Sequence, residues 1–383
     1  MNITLMKVQL NFMKPKSISI LGTRGVPAQH GGFETFAEHL SLYLVKKGWE
    51  VIVYCQTDDK TMLPEDTWNG IVRRNVYSPG DGALSTVIFD FKVALLSIND
   101  PGVQLLLGYN TAIFNVIQRF ARQPLLINMD GIEWKREKWG VVAKTWFWLN
   151  EKAGSYIGNH LIADHPKIKE HLQRNVSDGK ITMIPYGAYD IDKCDSTIVE
   201  EYGLISGGYS IIIARAEPEN SILEMVTAFS EKFRGHKLVV LGNYIDTDSF
   251  HQRVKSSASD EVLFFGAIYD SNKVDALRKH ACLYLHGHKV GGTNPSLVEA
   301  MGAGCAVLAH DNHFNRWVVG SGGKYFKDVF ECSELLDNLL NDDGMKCVLE
   351  AESKKRFLEK FTWDDVLQQY EELIVKFSNK ELK

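Results

Sequence analysis

Disulfide frameworks, bilayer-spanning segments and a dominant charge are all missing from this chain. Cysteine occurs six times, at positions 55, 194, 282, 305, 332 and 347. None of these forms a C-x-x-C pair and most sit in apolar or helical stretches, which excludes a stapled mini-scaffold and a zinc ribbon and points to reduced thiols in a cytoplasmic protein. No window reaches about 18 uninterrupted apolar residues, so any work at a membrane is expected from its surface. Lys and Arg total 43 against 48 Asp and Glu, a net charge of −5, which argues against a protein that grips nucleic acid along its whole surface. The first residues, MNITLMKVQLNFMKPK, are too broken by polar side chains for a secretory signal and lack a small-residue cleavage site. Residues 1–16 therefore read as a leader or disordered segment, with Met13 as an alternative start.

What is present is length and a regular alternation. A chain of 383 residues has room for two or three domains at roughly 100–200 residues each. Short β-rich apolar runs alternate with amphipathic helical stretches throughout, the pattern of an α/β protein with parallel sheets. In the first half the expected strands are SISIL (17–21), EVIVYC (50–55), VQLLLG (103–108), PLLINMD (124–130) and LIADH (161–165). Between the first two, Phe33, Phe36, Ala37, Leu40 and Leu44 recur at helical spacing and predict one buried stripe. The stretch 187–208 is rich in Asp, Gly and Ser and weakly periodic, so a domain boundary is expected near residue 195. The pattern restarts with YSIIIAR (209–215), KLVVLG (237–242), EVLFFG (261–266), CLYLHG (282–287) and AVLAH (306–310). The last stretch, 361–377, predicts a helix with Trp363, Val366, Leu367, Tyr370, Leu373 and Ile374 on one face; it either packs on its own domain or crosses back to tie two domains together. The expected division is 17–195, 196–360 and a terminal helix in 361–383.

Ligands of open α/β sheets bind outside the carboxyl ends of the strands, and two loops at such ends are unusual. GTRGVPAQHGGFET (22–35) carries Gly22, Gly25, Gly31 and Gly32 directly before a helix. It does not fit G-x-G-x-x-G, and it is either a glycine-built turn or a ligand-facing loop whose last amides meet an anion. HGHKVGGTNPSLVEAMGAG (286–304) places Asn294 as an N-cap and Pro295 at the first helical position, so that Gly291, Gly292, Thr293 and the Ser296 and Leu297 amides surround a helix N-terminus suited to phosphate. Glu299, a turn inside, either accepts from ribose hydroxyls or complements the helix dipole. His286 and His288 form an H-x-H pair without a nearby acidic or thiol partner, and contact with a donor or simple packing is expected ahead of metal.

Two charged residues end strands. Arg215 either neutralises a diphosphate or pairs with Glu217 or Glu219. Asp130 either orients an acceptor hydroxyl or caps the next element. Beyond it, Trp134, Trp139, Trp146, Phe147 and Trp148 with Lys135, Arg136, Lys138, Lys144 and Lys152 read as one helix, whose rings serve core packing or contact with an anionic membrane.

Taken together and in order, GTRGVPAQHGGFET, NMDGIEWKREKW, IPYGA, AR-x-EPEN and GHKVGGTNPSLVEAMGAG resemble the GT-B fold glycosyltransferases of family 4, and within them the bacterial rhamnosyltransferase-like group of polysaccharide assembly, over residues 17–377. The resemblance implies an α/β, GT-B architecture: two Rossmann-like, doubly wound domains facing across a cleft, the second holding a nucleotide-sugar donor and the first the acceptor, with a C-terminal helix crossing back. It implies retention of anomeric configuration, no metal, no cofactor and no nucleic-acid partner. Asp130 and Arg215 are the implied catalytic residues. Donor contacts fall on Gly31, Gly32, Arg215, Asn220, Gly266, Tyr269, His288, Gly292, Thr293, Asn294, Ser296 and Glu299; acceptor contacts on Glu34, Asp130, Glu133 and Trp134. The family's spaced pair of glutamates survives only as Gly291 and Glu299, and its basic residue after the arginine is replaced around Glu219 and Asn220. The missing first glutamate makes a 6-deoxy sugar donor, dTDP-L-rhamnose, the leading expectation, with a saccharide acceptor on a lipid diphosphate at the inner membrane face. Transfer of another hexose or amino sugar from a UDP or GDP donor stands as the alternative. A catalytically silent nucleotide-sugar-binding subunit is the rival of a different class, and a nicotinamide-dependent dehydrogenase a weaker one.

Overall fold

The computed structural model describes residues 16–378 except His30 and Asp81, so the leader expected over 1–16 lies almost wholly outside the described residues. In the first half the chain runs through β1 (Ser17–Leu21), α1 (Gly32–Lys46), β2 (Glu50–Thr57), β3 (Glu65–Trp68), β4 (Ile71–Tyr77), α2 (Ala83–Leu96), β5 (Val103–Leu107), α3 (Val116–Phe120), β6 (Leu125–Asn128), α4 (Val141–Ile157), β7 (His160–Ala163), α5 (Pro166–Leu172) and β8 (Ile181–Met183). It continues with α6 (Thr197–Glu200), β9 (Tyr209–Ile213), α7 (Ile222–Ser230), β10 (Lys237–Leu241), α8 (Ser249–Ser256), β11 (Val262–Gly266), α9 (Ser271–Lys279), β12 (Leu283–His286), α10 (Pro295–Gly302), β13 (Val307–His310), α11 (His313–Val319), β14 (Gly323–Phe326), α12 (Val329–Leu340), α13 (Asp343–Lys360) and α14 (Trp363–Ser378).

Two sheets result: eight strands in the order β3-β4-β2-β1-β5-β6-β7-β8, and six in the order β11-β10-β9-β12-β13-β14. The alternation of strand and helix dictates parallel pairing, because each crossover returns the chain to the same end of the sheet. β3 and β4 pair antiparallel. Both strands escaped the sequence reading, although Asn69 and Gly70 between them take positive φ of 49° and 81° and form the Asn-Gly turn that favours a tight hairpin. The short β8 and β14 were missed for a different reason: three or four residues give too little alternation to register.

By density of contacts the described chain groups into two units, one of residues 16–107, 114–126 and 373–378, the other of 108–113 and 127–372. In the first, α1 buries Phe36, Ala37, Leu40 and Leu44 as expected, but Phe33 of the expected stripe is only partly buried, while the carboxylate-bearing Glu34 is buried. In the second, apolar clusters line both faces of the six-stranded sheet. The expected stripe of α14 is buried from Trp363 to Ile374, and Tyr186 meets the Trp363 ring edge-on at 4.9 Å.

The segment read as one aromatic, basic helix is in fact two elements. A 3₁₀ turn covers Glu133–Lys135, and α4 begins only after Gly140 in extended conformation. The Trp134 indole donates to Glu151 of α4, so the turn folds back onto the helix instead of running into it.

The first glycine-rich loop divides residue by residue. A Cβ on Gly22, at φ 76°, would overlap the Leu107 carbonyl, and one on Gly25 would lie 2.7 Å from Cys55 Sγ; around Gly31, at φ 90°, there is open space. Gly22 and Gly25 therefore serve the turn, whereas Gly31 keeps the helix entrance clear. Gly22→Ala should lower unfolding stability by about 2–4 kcal/mol through strain and overlap, and Gly31→Ala by only about 1 kcal/mol, as read by denaturant titration.

Candidate active site

The second unit gathers the ends of β6, β7, β9 and β12. Asp130 follows β6 in a left-handed conformation, φ 46°, which costs a non-glycine residue about 1–3 kcal/mol. Its amide donates to Asn128 Oδ1 at 3.0 Å, and the Asn128 side-chain amide donates to the Tyr370 hydroxyl at 2.9 Å. The turn is thus braced from α14. Asp130 is not the cap of a following helix, because the next element starts from Ile132 without a side-chain cap.

Asp164, one residue beyond β7, was not singled out from the sequence. Its Oδ2 accepts the Thr293 amide at 2.8 Å, and its main-chain carbonyl accepts the Thr293 hydroxyl. Oδ1 is buried with no hydrogen-bond partner. Burial, then the neighbouring Asp130 charge, push the Asp164 carboxyl up to about 7 against the pull of the Thr293 amide. Burial, then Glu133, push Asp130 up to about 6, while the Gly131 amide, Arg136 and Arg215 act the other way. Two carboxyls with raised proton affinity therefore stand at adjacent strand ends.

Cations surround them unequally. Arg136 donates to Glu133 and to Glu219, so Glu219, the sequence's alternative partner for Arg215, is already engaged. Burial opposes ionisation of Glu219, yet its hydrogen bond to Arg136, with the charges of Arg136, Lys138 and Arg215, holds the carboxyl below the usual range. Arg215 is exposed. Its main-chain carbonyl accepts from Asn220 Nδ2 at 2.9 Å, and no carboxylate lies within ion-pairing distance of its guanidinium among the described residues. Asn220, 3% exposed, thus braces the Arg215 turn.

The helix entrance of α10 forms as the spacing predicts, with Asn294 Oδ1 accepting the Ser296 amide at 3.0 Å and Pro295 in the first turn. The Ser296 hydroxyl turns back to the Ile213 carbonyl at 2.9 Å and to Tyr284. A Cβ on Gly292 would overlap both Asp164 carboxylate oxygens, so glycine alone lets this loop lie against β7. His286 and His288 stack at 4.5 Å and 11°. Burial, then Arg215, push His288 down to about 4, and burial, then His288, hold His286 well below the usual imidazole value; both rings are neutral at pH 7. Among the described residues no group of three His, Cys, Asp or Glu could hold a metal ion.

Residues 206–356 match the family described as Glycosyl transferases group 1. Over this segment the chain is similar to that family. Residues 15–189 match a domain of unknown function, DUF1972. No curated protein sequence matches the chain. Among solved structures, sucrose-phosphate synthase from Thermosynechococcus elongatus superposes with a TM-score of 0.79 at 16% identity, covering 94% of this chain and 98% of that one. Anabaena HepE in complex with UDP-glucose gives 0.74 at 16%, covering 94% and 99%. The UDP-forming α,α-trehalose-phosphate synthase of Burkholderia vietnamiensis gives 0.71 at 9%, covering 94% and 100%. The fold is GT-B, as expected.

Within the segment 206–356, Glu299 is held by Arg278, a partner the sequence spacing did not suggest. Gly266 ends β11 at φ 74°, and Tyr269 beyond it is 77% exposed. The acceptor-side expectations are more inward-facing. Both Glu133 carboxylate oxygens are engaged, by Arg136 at 2.7 Å and by the Trp139 indole at 3.1 Å. The Trp134 indole donates to Glu151 at 2.7 Å. In the other unit, Glu34 accepts the Gln29 amide at 3.1 Å and borders a cavity of about 310 Å³ with Arg24, Gln56, Arg73 and Asn75.

The raised carboxyls make stability pH-dependent with a definite sign. Between the ordinary Asp value of 3.8 and about 7, folded Asp164 keeps a proton that the unfolded chain has released. The folded state binds more protons there, so stability falls as pH rises through that window. Asp164→Asn should therefore melt above the wild type at pH 8 and lose that advantage near pH 4, as read by calorimetry.

Proposed function

We propose that the protein is a retaining, metal-independent hexosyltransferase that moves L-rhamnose from dTDP-L-rhamnose to a saccharide carried on a lipid diphosphate, in bacterial surface polysaccharide synthesis. The observation that carries the transferase reading is Arg215: an exposed guanidinium with no carboxylate partner, at a strand's carboxyl end in the group 1 domain, with Asp130 in its field. The 6-deoxy donor rests on the glycine at position 291, which offers a sugar hydroxyl no side chain. HepE is described in complex with UDP-glucose, which favours a UDP-hexose donor as the second reading.

In the proposed reaction the bond between the anomeric carbon and the diphosphate oxygen breaks, and the acceptor oxygen bonds to that carbon on the same face. The acceptor hydroxyl's proton passes to the departing diphosphate. Charge growing on the diphosphate is met by Arg215 and by the N-terminus of α10 behind Thr293, Asn294 and Ser296. Asp130 orients the acceptor hydroxyl. Gly31 and Gly32 are proposed as further donor-phosphate contacts, Gly266 and Tyr269 as base contacts, Glu299 as a ribose contact, and Glu34, Glu133 and Trp134 as the acceptor side, the last two through shape because their polar groups are engaged. The proposed division of labour follows residues 17–195 for the acceptor and 196–360 for the donor, with the helix of 361–383 joining them. No helix among the described residues is long and apolar enough to cross a membrane; the proposed contact with the inner membrane face uses α4, where Val141, Val142, Trp148 and Leu149 are exposed.

Nucleotide release from candidate donors in the presence of acceptor tests this reading. Arg215→Ala should fold normally, since the side chain is exposed, and lower kcat/KM on the order of 10²–10³-fold. Asp130→Asn keeps a residue type tolerant of positive φ and should lower transfer by about 10²-fold. Full transfer by Asp130→Asn would remove it from the mechanism.

A further inference from the structure

Asp164 carries a buried carboxylate oxygen that the mechanism above does not use. Three of its acceptor positions are accounted for differently: the carbonyl holds the Thr293 hydroxyl, Oδ2 holds the Thr293 amide, and Oδ1 holds nothing. Leaving a buried carboxylate oxygen without a donor is costly, and such a group calls for an explanation. What covers Oδ1 is the loop of Gly291 and Gly292, the latter without room for a Cβ and the former at φ 131° with open space around it. A loop of two glycines is the segment best able to shift when a ligand arrives. Asp130, the proposed hydroxyl-orienting residue, lies close enough to raise the Asp164 proton affinity. A ligand between the α10 entrance and Asp130 would therefore have Asp164 beside it.

We propose that Asp164 is a specificity residue for the transferred sugar: when a donor displaces the Gly291–Gly292 loop from the carboxylate, the free oxygen accepts a sugar hydroxyl. This rests on the donor-site reading above. The contact involves the hexose and not the nucleotide, which separates it from a merely structural hold on the loop. A structural brace supports every ligand of the loop alike, whereas a hydroxyl acceptor discriminates sugar-bearing ligands from bare nucleotides.

The test is calorimetric titration of the full chain and of Asp164→Asn with four probes: dTDP, dTDP-L-rhamnose, UDP and UDP-glucose. For whichever pair binds, the ratio of nucleotide Kd to nucleotide-sugar Kd should fall about tenfold in the variant, while the bare-nucleotide Kd stays within about twofold. Asp164→Ser, which removes the carboxyl group altogether, serves as the second variant and should show the same fall in the ratio. An unchanged ratio, or equal weakening of nucleotide and nucleotide sugar, overturns the proposal and leaves the transferase reading standing. Failure of the wild-type chain to bind any of the four overturns both.

Discussion

The site depends on one constraint: the carboxylates of Asp130 and Asp164, at the ends of β6 and β7, are held largely out of bulk water, where each would be less costly. A buried ionised carboxylate is unfavourable unless hydrogen bonds or cations compensate. Here compensation is partial. Thr293 satisfies one oxygen of Asp164, Arg136 and Arg215 act on Asp130 from a distance, and both groups retain raised proton affinity. Asp130 also holds a left-handed backbone. Strain and incomplete compensation at adjacent strand ends cluster where a substrate's own groups can complete the arrangement.

The other charged residues arrange themselves around this constraint. Arg136 spans Glu133 and Glu219, which removes from Arg215 one of the two carboxylates that the sequence offered as its partner. Asn220 and Glu217 shape the turn that carries Arg215. The result is an exposed guanidinium with no carboxylate within ion-pairing distance among the described residues, near enough to His288 to lower that ring's proton affinity. An anion of two phosphates is the chemistry such an arrangement serves, since guanidinium and amide dipoles can both meet it without a metal.

Much of this was legible in the sequence, and the exceptions have physical causes. The N-cap Asn294, Pro295, the stripe of α14 and the main strands rest on local rules, and each appears where those rules put it. Asp164 was missed because nothing local marks it: its importance comes from Thr293, 129 residues away, which only the fold brings near. Arg278 as the holder of Glu299 was missed for the same reason. The supposed long helix of 134–152 misled because its lysines and arginine favour helix, whereas the bonds that Glu133 accepts from Arg136 and Trp139 close a separate turn. Glycine clustering told that the 22–35 loop is special, but only packing separates Gly22, which the fold needs, from Gly31, which has free space.

The central claim is that the Arg215 guanidinium and the entrance of α10 together receive a nucleotide's diphosphate. A crystal structure of the chain soaked with dTDP or UDP tests it most directly. The account predicts diphosphate density against Arg215 and the amides following Asn294; a nucleotide bound with its phosphates elsewhere on the chain, and this entrance empty, would contradict it.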